Sequence, residues 1–265
     1  MMEERKLVRK IELIDGFHKA GLTKGDHVIV HTSLSSLGFV CGGEQIVIEA
    51  LLEVVGKEGT ILMPTQSWKN LDPTAGVHWE EPEEWWQAIR DNWPAYDPQI
   101  TPTNTLGAVA EMFRKWPGAV RSSHPARSFA AVGKYANYLT KDHDLENIFG
   151  EGSPIGKLYE LNGKVLLIGV GYDKNTSLHL ADVRANYPSK HYGKESSAIL
   201  KDGKRQWVTY QTLVVDGEDF TEIGEAFEQN RTVKKVTIGN ATVTLMNQRD
   251  LVDFAVQWIE KNRIK

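Results

Sequence analysis

The chain of 265 residues is 41% hydrophobic and 25% charged, an ordinary globular composition that supports a buried core without disulfide or metal staples. A single cysteine, Cys41, excludes an internal disulfide and suits a reducing, cytoplasmic setting. The net charge of −4, with no dense Lys/Arg stripe, argues against a nucleic-acid partner and is compatible with a neutral or cationic substrate.

The N-terminal stretch MMEERKLVRKIELIDGF is amphipathic, and Leu7, Ile11, Ile14 and Phe17 at helical spacing predict a helix over 3–20. It lacks the apolar core of a signal peptide, and no apolar run reaches the length of a membrane span, so no membrane partner is expected. DHVIVHT reads as a strand, GGEQIVIEALLEVVG as a helix closed by Gly56, and GTILMPT as a second strand, together one βαβ unit. Residues 66–104, rich in Pro, Trp and acid, read as an excursion over one face with a short helix at about 82–92. TLGAVAEMFRKW is helical, SFAAVG a strand and KYANYLTKD a short helix. GSPIGKLYEL is a helix with Ser153 as cap and Pro154 at its first position, and GKVLLIGV is a buried strand. Two hairpins follow, one turning at Asp202-Gly203 and one at Gly239-Asn240, with a helix after each. The expected architecture is a single α/β domain over 1–265. Its mixed central sheet is flanked by helices, with antiparallel hairpins in the C-terminal third.

Four constellations bear on chemistry. HTSLSSLGFVCGGE, residues 31–44, is a strand end, a loop of small residues and a helix start, a place that favours phosphate. It is neither a P-loop nor a dinucleotide fingerprint, and on pattern alone an ordinary βα loop fits as well. Cys41 in that loop reads as a small half-buried residue rather than a nucleophile. RSSHPARSFAAVG, residues 121–133, is a polar turn ahead of a strand or a pocket wall touching a phosphate or carbonyl. GYDKNTSLHLADVR places His179 and Asp182 three residues apart near a helix start capped by Asn175 or Thr176, just beyond a core strand. A carboxylate beside an imidazole fixes its tautomer and stabilises the imidazolium once it has taken a proton. No metal is expected, because there is no His-Glu-x-x-His and no Cys pair. His27 and His31 share a strand face without an evident third ligand.

In order, HTSLSSLGFVCGGEQIVIEALLEVVGKEGTILMPT, NTLGAVAEMFRKWPGAVRSSHPARSFAAVG and FGEGSPIGKLYELNGKVLLIGVGYDKNTSLHLAD resemble the aminoglycoside N(3)-acetyltransferase family, and DGEDFTEIGEAFE also looks like that family. The resemblance implies an α/β fold distinct from GCN5-like acetyltransferases. It implies transfer of acetyl from acetyl-CoA to the 3-amino group of an aminoglycoside, and so antibiotic resistance. It places coenzyme A on His31, Thr32, Ser33, Leu34, Ser35, Ser36, Leu37, Gly38, Gly42 and Gly43, with Arg121, Ser122, Ser123 and His124 bordering the same cleft. It makes His179 the general base. Asp182 stands where the family often has Glu, and is one methylene shorter. Thr65 falls in PTQSW, on the expected acceptor side, where the family commonly has an aromatic-Thr pair.

Amine acetylation needs a held thioester, a base and donors for the growing oxyanion, and no covalent enzyme intermediate. Thr176 or Ser33 is a candidate oxyanion donor. Asp219 or Glu218 is placed to bind a second ammonium or to orient His179. An acidic pocket suits a polycation, and Glu80 and Glu81 in HWEEPEEWW supply charge beside tryptophans that pack on sugar rings. The same stretch also reads as a solvated helix face or a homo-oligomer contact. Three other readings stand beside this one: transfer to a non-aminoglycoside amine, a hydrolase using Cys41 or Ser153, and a non-catalytic binding module.

Overall fold

A computed structural model describes residues 4–75, 79–231 and 233–264. The chain opens with β1 (Leu7–Val8) and α1 (Lys10–Ala20) rather than one helix over 3–20. Leu7 and Val8 pair in parallel with β3 (Phe39–Val40), which draws them out of the helical path. Helix α1 then starts behind Arg9, whose backbone N–H donates to Glu12 Oε2 at 2.6 Å.

The βαβ unit forms as its pattern predicts: β2 (His27–Thr32), α2 (Gly43–Val55) and β4 (Thr60–Pro64). The excursion carries α3 (Trp86–Asn92) and leads into α4 (Gly107–Phe113). Next come β5 (Val120–Arg121), β6 (Phe129–Gly133), α5 (Ala136–Thr140), α6 (Pro154–Glu160) and β7 (Lys164–Ile168). Two-residue β5 falls where the sequence shows only the end of a helix and a polar turn. Helix α7 (Leu178–Arg184) is followed by the hairpin β8 (Tyr192–Lys201) and β9 (Lys204–Leu213). Asp202 and Gly203 both take positive φ, 52° and 71°, as a type I′ turn requires. Helix α8 (Phe220–Asn230), hairpin β10 (Lys234–Ile238) with β11 (Ala241–Asn247), and α9 (Gln248–Asn262) complete the order.

The central sheet runs β10-β11-β7-β2-β4-β6-β5. Strand β2 is parallel to both β4 and β7, and the outer pairings are antiparallel. Side chains alternate across it. Val28, Val30, Ile61, Met63, Leu166 and Ile168 pack with α1, α2 and α4 on one face. Ile29, Leu62, Val165 and Leu167 pack with α5 to α9 on the other. His31 shares the parity of Ile29 and so points to the face that carries α7.

At the end of β7 the backbone turns sharply into its loop. Gly169 holds φ at +64°, and a Cβ there would lie 2.6 Å from the Ser36 Cβ. That contact seats the loop after β2 against the loop after β7. Gly169→Ala is therefore expected to lower stability by about 2 kcal/mol through strain and overpacking combined. Urea unfolding checks this, and an unchanged midpoint contradicts the packing described.

Candidate active site

The three parallel strands β2, β4 and β7 end at the same edge of the sheet, where open α/β sheets place their ligands. A cleft of about 1020 Å³ lies there. The loops after all three strands wall it, through Ser33–Ser35, Gln66 with Trp68, and Asp173–Thr176, and the start of α4 closes the far side. Of the loop assigned to coenzyme A, His31, Thr32, Ser33, Leu34, Ser35, Gly38 and Gly43 line the cleft. Ser36, Leu37 and Gly42 stand behind this wall. Ser36 Oγ donates to Ser33 Oγ at 2.7 Å, Leu37 is in the core, and Gly42 begins the helix with φ of +90°. A side chain at Gly42 would collide with Ile46.

Helix α7 delivers His179 to the cleft. Its imidazole stacks on Phe149 at 4.6 Å and 14°, and Phe220 packs against it at 4.8 Å. Nδ1 lies 2.8 Å from Asp182 Oδ2, the contact that three-residue spacing on a helix allows. Asp182 is fully buried. A carboxylate can only accept, so this contact favours the tautomer of a neutral His179 that carries its proton on Nδ1 and its lone pair on Nε2. Nε2 has no hydrogen-bond partner among the described residues. The sequence expected Asn175 or Thr176 to cap this helix. In the fold Ser177 takes the N-cap position, and Asn175 Oδ1 accepts from the Ser177 N–H at 3.2 Å. Thr176 lines the cleft near its floor.

The other end of Asp182 is held by a residue that the sequence does not point to. Arg263, just past α9, donates from Nη1 to Asp182 Oδ1 at 2.7 Å. Its Nε and Nη2 donate to Asp219 Oδ2 and Oδ1 at 2.6 and 2.7 Å. Asp219 thus meets Arg263 and not His179, and it does not line the cleft. Glu218 is exposed and also lies off the cleft wall.

Several walls carry polar atoms with no partner among the described residues: His31 Nε2, Thr32 Oγ1 and Asn175 Nδ2. Each of these atoms is shut off from solvent, and leaving it unpaired is costly. His31 is 7% exposed, and burial together with the nearby His179 lowers its pKa to about 3.

The remaining predicted residues are used elsewhere. Arg121 is buried and donates to Ser128 Oγ at 3.0 Å and to Ser67 Oγ at 2.9 Å, tying the start of the excursion to β5 and β6. Burial lowers its pKa to about 10. Thr65 is fully buried and accepts from the same guanidinium. Ser122 Oγ accepts the Phe129 N–H at 3.0 Å, Ser123 is exposed, and His124 Nδ1 accepts from the Arg127 N–H at 3.0 Å. None of the four residues 121–124 is on the cleft wall. Glu81 pairs with Lys69 at 3.2 Å, Glu80 is exposed, and neither reaches the cleft. Cys41 is exposed off the wall, and Ser153 Oγ donates to Gly150 O at 2.7 Å beneath its helix cap, so neither is presented as a nucleophile. Arg5 lines the mouth, its guanidinium 5.2 Å from the Phe39 ring, and was not a candidate on sequence.

Burial holds several histidines neutral in the fold: His31 at about 3, His143 at about 4, and His124 well below the usual value. When the chain unfolds below about pH 6.5 these rings take up protons. Protons then favour the unfolded state, and stability falls as pH drops from 6.5 until the folded rings themselves titrate. Each such histidine is expected to contribute a slope of about 1.4 kcal/mol per pH unit in that window. Urea titrations at stepped pH check this, and His143→Gln should remove about one histidine's share. A flat profile between pH 6.5 and 4.5 contradicts it.

Residues 29–260 match the family model for aminoglycoside 3-N-acetyltransferase. The SPbeta prophage-derived aminoglycoside N(3')-acetyltransferase-like protein YokD of Bacillus subtilis (strain 168) is 42% identical over 97% of this chain and 94% of its own length. Its crystal structure aligns with a TM-score of 0.91, covering 96% of this chain and 93% of that one. Aminoglycoside N(3)-acetyltransferase VII of Streptomyces paromomycinus is 39% identical over 91% of this chain and 88% of its own. AAC-IIIb, solved as a binary complex with CoASH, aligns at 29% identity with a TM-score of 0.86, over 98% of this chain and 99% of that one. With the family model and these relatives spanning nearly the whole sequence, the chain belongs to the aminoglycoside 3-N-acetyltransferase family.

Proposed function

We propose that the protein transfers acetyl from acetyl-CoA to the 3-amino group of an aminoglycoside, with His179 as general base. The observation that carries this reading is an imidazole whose Nδ1 is engaged by a buried carboxylate and whose Nε2 has no partner among the described residues, in a large cleft at the carboxyl ends of parallel strands. Thr32 and Asn175 are polar residues of the wall beside the path proposed for a pantetheine arm. His31 to Ser35, Gly38 and Gly43 would hold coenzyme A there, and Arg5 and Lys174 at the wall suit its phosphates. The cosubstrate supplies an activated acetyl thioester. The chain's part is to bring the amine beside it, to exclude water, and to accept the amine proton at His179 Nε2. Asp182 stabilises the imidazolium so formed. Thr176 on the same wall is a donor for developing negative charge.

A second acceptor class is favoured by one observation. Among the described residues of the wall, Asp173 is the sole carboxylate, and it pairs with neighbouring Lys174 at 3.0 Å. Glu80, Glu81, Glu218 and Asp219, which the polycation reading needs, are not on the wall. An amine with fewer positive charges than an aminoglycoside fits that balance.

Thiol release from acetyl-CoA, with a panel of aminoglycosides and of singly charged amines, tests both readings. Release is expected to depend on an acceptor amine and to fall by about 10²- to 10⁴-fold in His179→Ala, while Cys41→Ala stays near the wild type. Full activity of His179→Ala, or its loss in Cys41→Ala, would overturn the mechanism. Activity with singly charged amines alone would reassign the acceptor.

A further inference from the structure

We propose that Arg263 is a positioning residue for the His179–Asp182 pair, its guanidinium fixing the carboxylate in the orientation that the imidazole needs. The inference rests on the reading of His179 as base.

Asp182 is fully buried, and such a carboxylate must have both oxygens satisfied. Oδ2 is satisfied by His179 Nδ1 and Oδ1 by Arg263 Nη1, at 2.8 and 2.7 Å. Without the second bond the carboxylate is free to turn about its own axis, and an aspartate has one methylene less than a glutamate with which to recover the contact. Arg263 is itself held by two bonds to Asp219 and lies over the Tyr187 ring at 5.1 Å, so its planar fork does not swing. Asp219 is thus the outer anchor of a chain of contacts running Asp219, Arg263, Asp182, His179.

The other charged groups nearby do not replace it. Lys190 Nζ donates to the carbonyls of Val183 and Ala185, at 2.7 and 2.8 Å, and not to Asp182. Asp216 offers Arg263 only its backbone carbonyl, at 3.4 Å. Tyr187 stands beside both Asp182 and Arg263, and His31 faces His179 from β2. Arg263 does not line the cleft, so it acts through Asp182 and does not touch a ligand.

The test is steady-state kinetics over pH with Arg263→Met, Arg263→Lys and a chain ending at Asn262. For Arg263→Met and the shortened chain, kcat is expected to fall by about 10- to 100-fold with the KM for acetyl-CoA unchanged, because the base loses its alignment and the cleft does not. The acid limb of the rate profile should move to higher pH. Removing the cation leaves two carboxylates near the imidazole, and these favour its protonated form. Arg263→Lys should restore the acid limb, and recover kcat only in part, since an ammonium does not reproduce the fork. Arg263→Lys keeps the backbone N–H that bonds to the Ile259 carbonyl, which the shortened chain loses, so it separates loss of the fork from loss of folding. Wild-type kcat and an unmoved acid limb in both variants overturn the proposal. So does a drop in melting temperature alone with kcat intact. A His179→Ala variant that keeps wild-type turnover would instead remove the base reading itself. An inactive His179→Ala beside a normal Arg263→Met would remove this inference only.

Discussion

A carboxylate with no exposure to solvent has to be paired from inside the protein, and the site is built around that requirement at Asp182. One oxygen is taken by His179 and the other by Arg263. Those two bonds join a helix that follows β7 to the segment that follows the last helix of the chain. The aromatic rings of Phe149 and Phe220 close around the imidazole and leave it one direction, toward the cleft. The orientation of His179 is therefore set by packing on its faces and by charge at its back, as the role of base proposed for it requires.

The cleft itself follows from topology. Parallel β2, β4 and β7 end together, and the segments that leave them meet at that edge and wall the cleft. The Ser33 N–H donates to the Ile168 carbonyl at 2.9 Å, joining the loop that would hold the donor to the strand that leads to His179. The two halves of the reaction are thus fixed to one rigid edge. Family membership accounts for the acetyltransferase chemistry, whereas the wall's own charges, with Asp173 already paired, bear on which amine is accepted.

Much of this was legible in the residues, for physical reasons. Apolar runs flanked by glycine located β2, β4 and β7, and three-residue spacing on a helix brought His179 to Asp182. The hairpin turn at Asp202-Gly203 followed from the need for positive φ. Other features depend on long-range contacts that no local pattern records. Arg263 reaches Asp182 across 81 positions, and nothing around it sets it apart from a solvated C-terminal arginine. Leu7 falls at helical spacing with Ile11, Ile14 and Phe17, but parallel pairing of Leu7 and Val8 with Phe39 and Val40 overrides it. RSSH reads as a polar turn ahead of a strand or as a pocket wall, and the family resemblance sets it beside the cofactor cleft. In the fold, Arg121, Ser122 and His124 spend their hydrogen bonds holding the excursion and the neighbouring turn, which polar composition alone cannot distinguish from ligand binding. Of the acids of HWEEPEEWW, Glu81 pairs with Lys69, and Glu80, Glu83 and Glu84 are exposed.

A crystal structure of the protein soaked with coenzyme A decides whether the donor thiol is brought to His179. The pantetheine arm is expected to follow the loop from Ser33 to Gly38 and to bring the sulfur to the side of the cleft that His179 Nε2 faces. Coenzyme A bound with its sulfur away from His179, or with the His179–Asp182 contact broken, would contradict it.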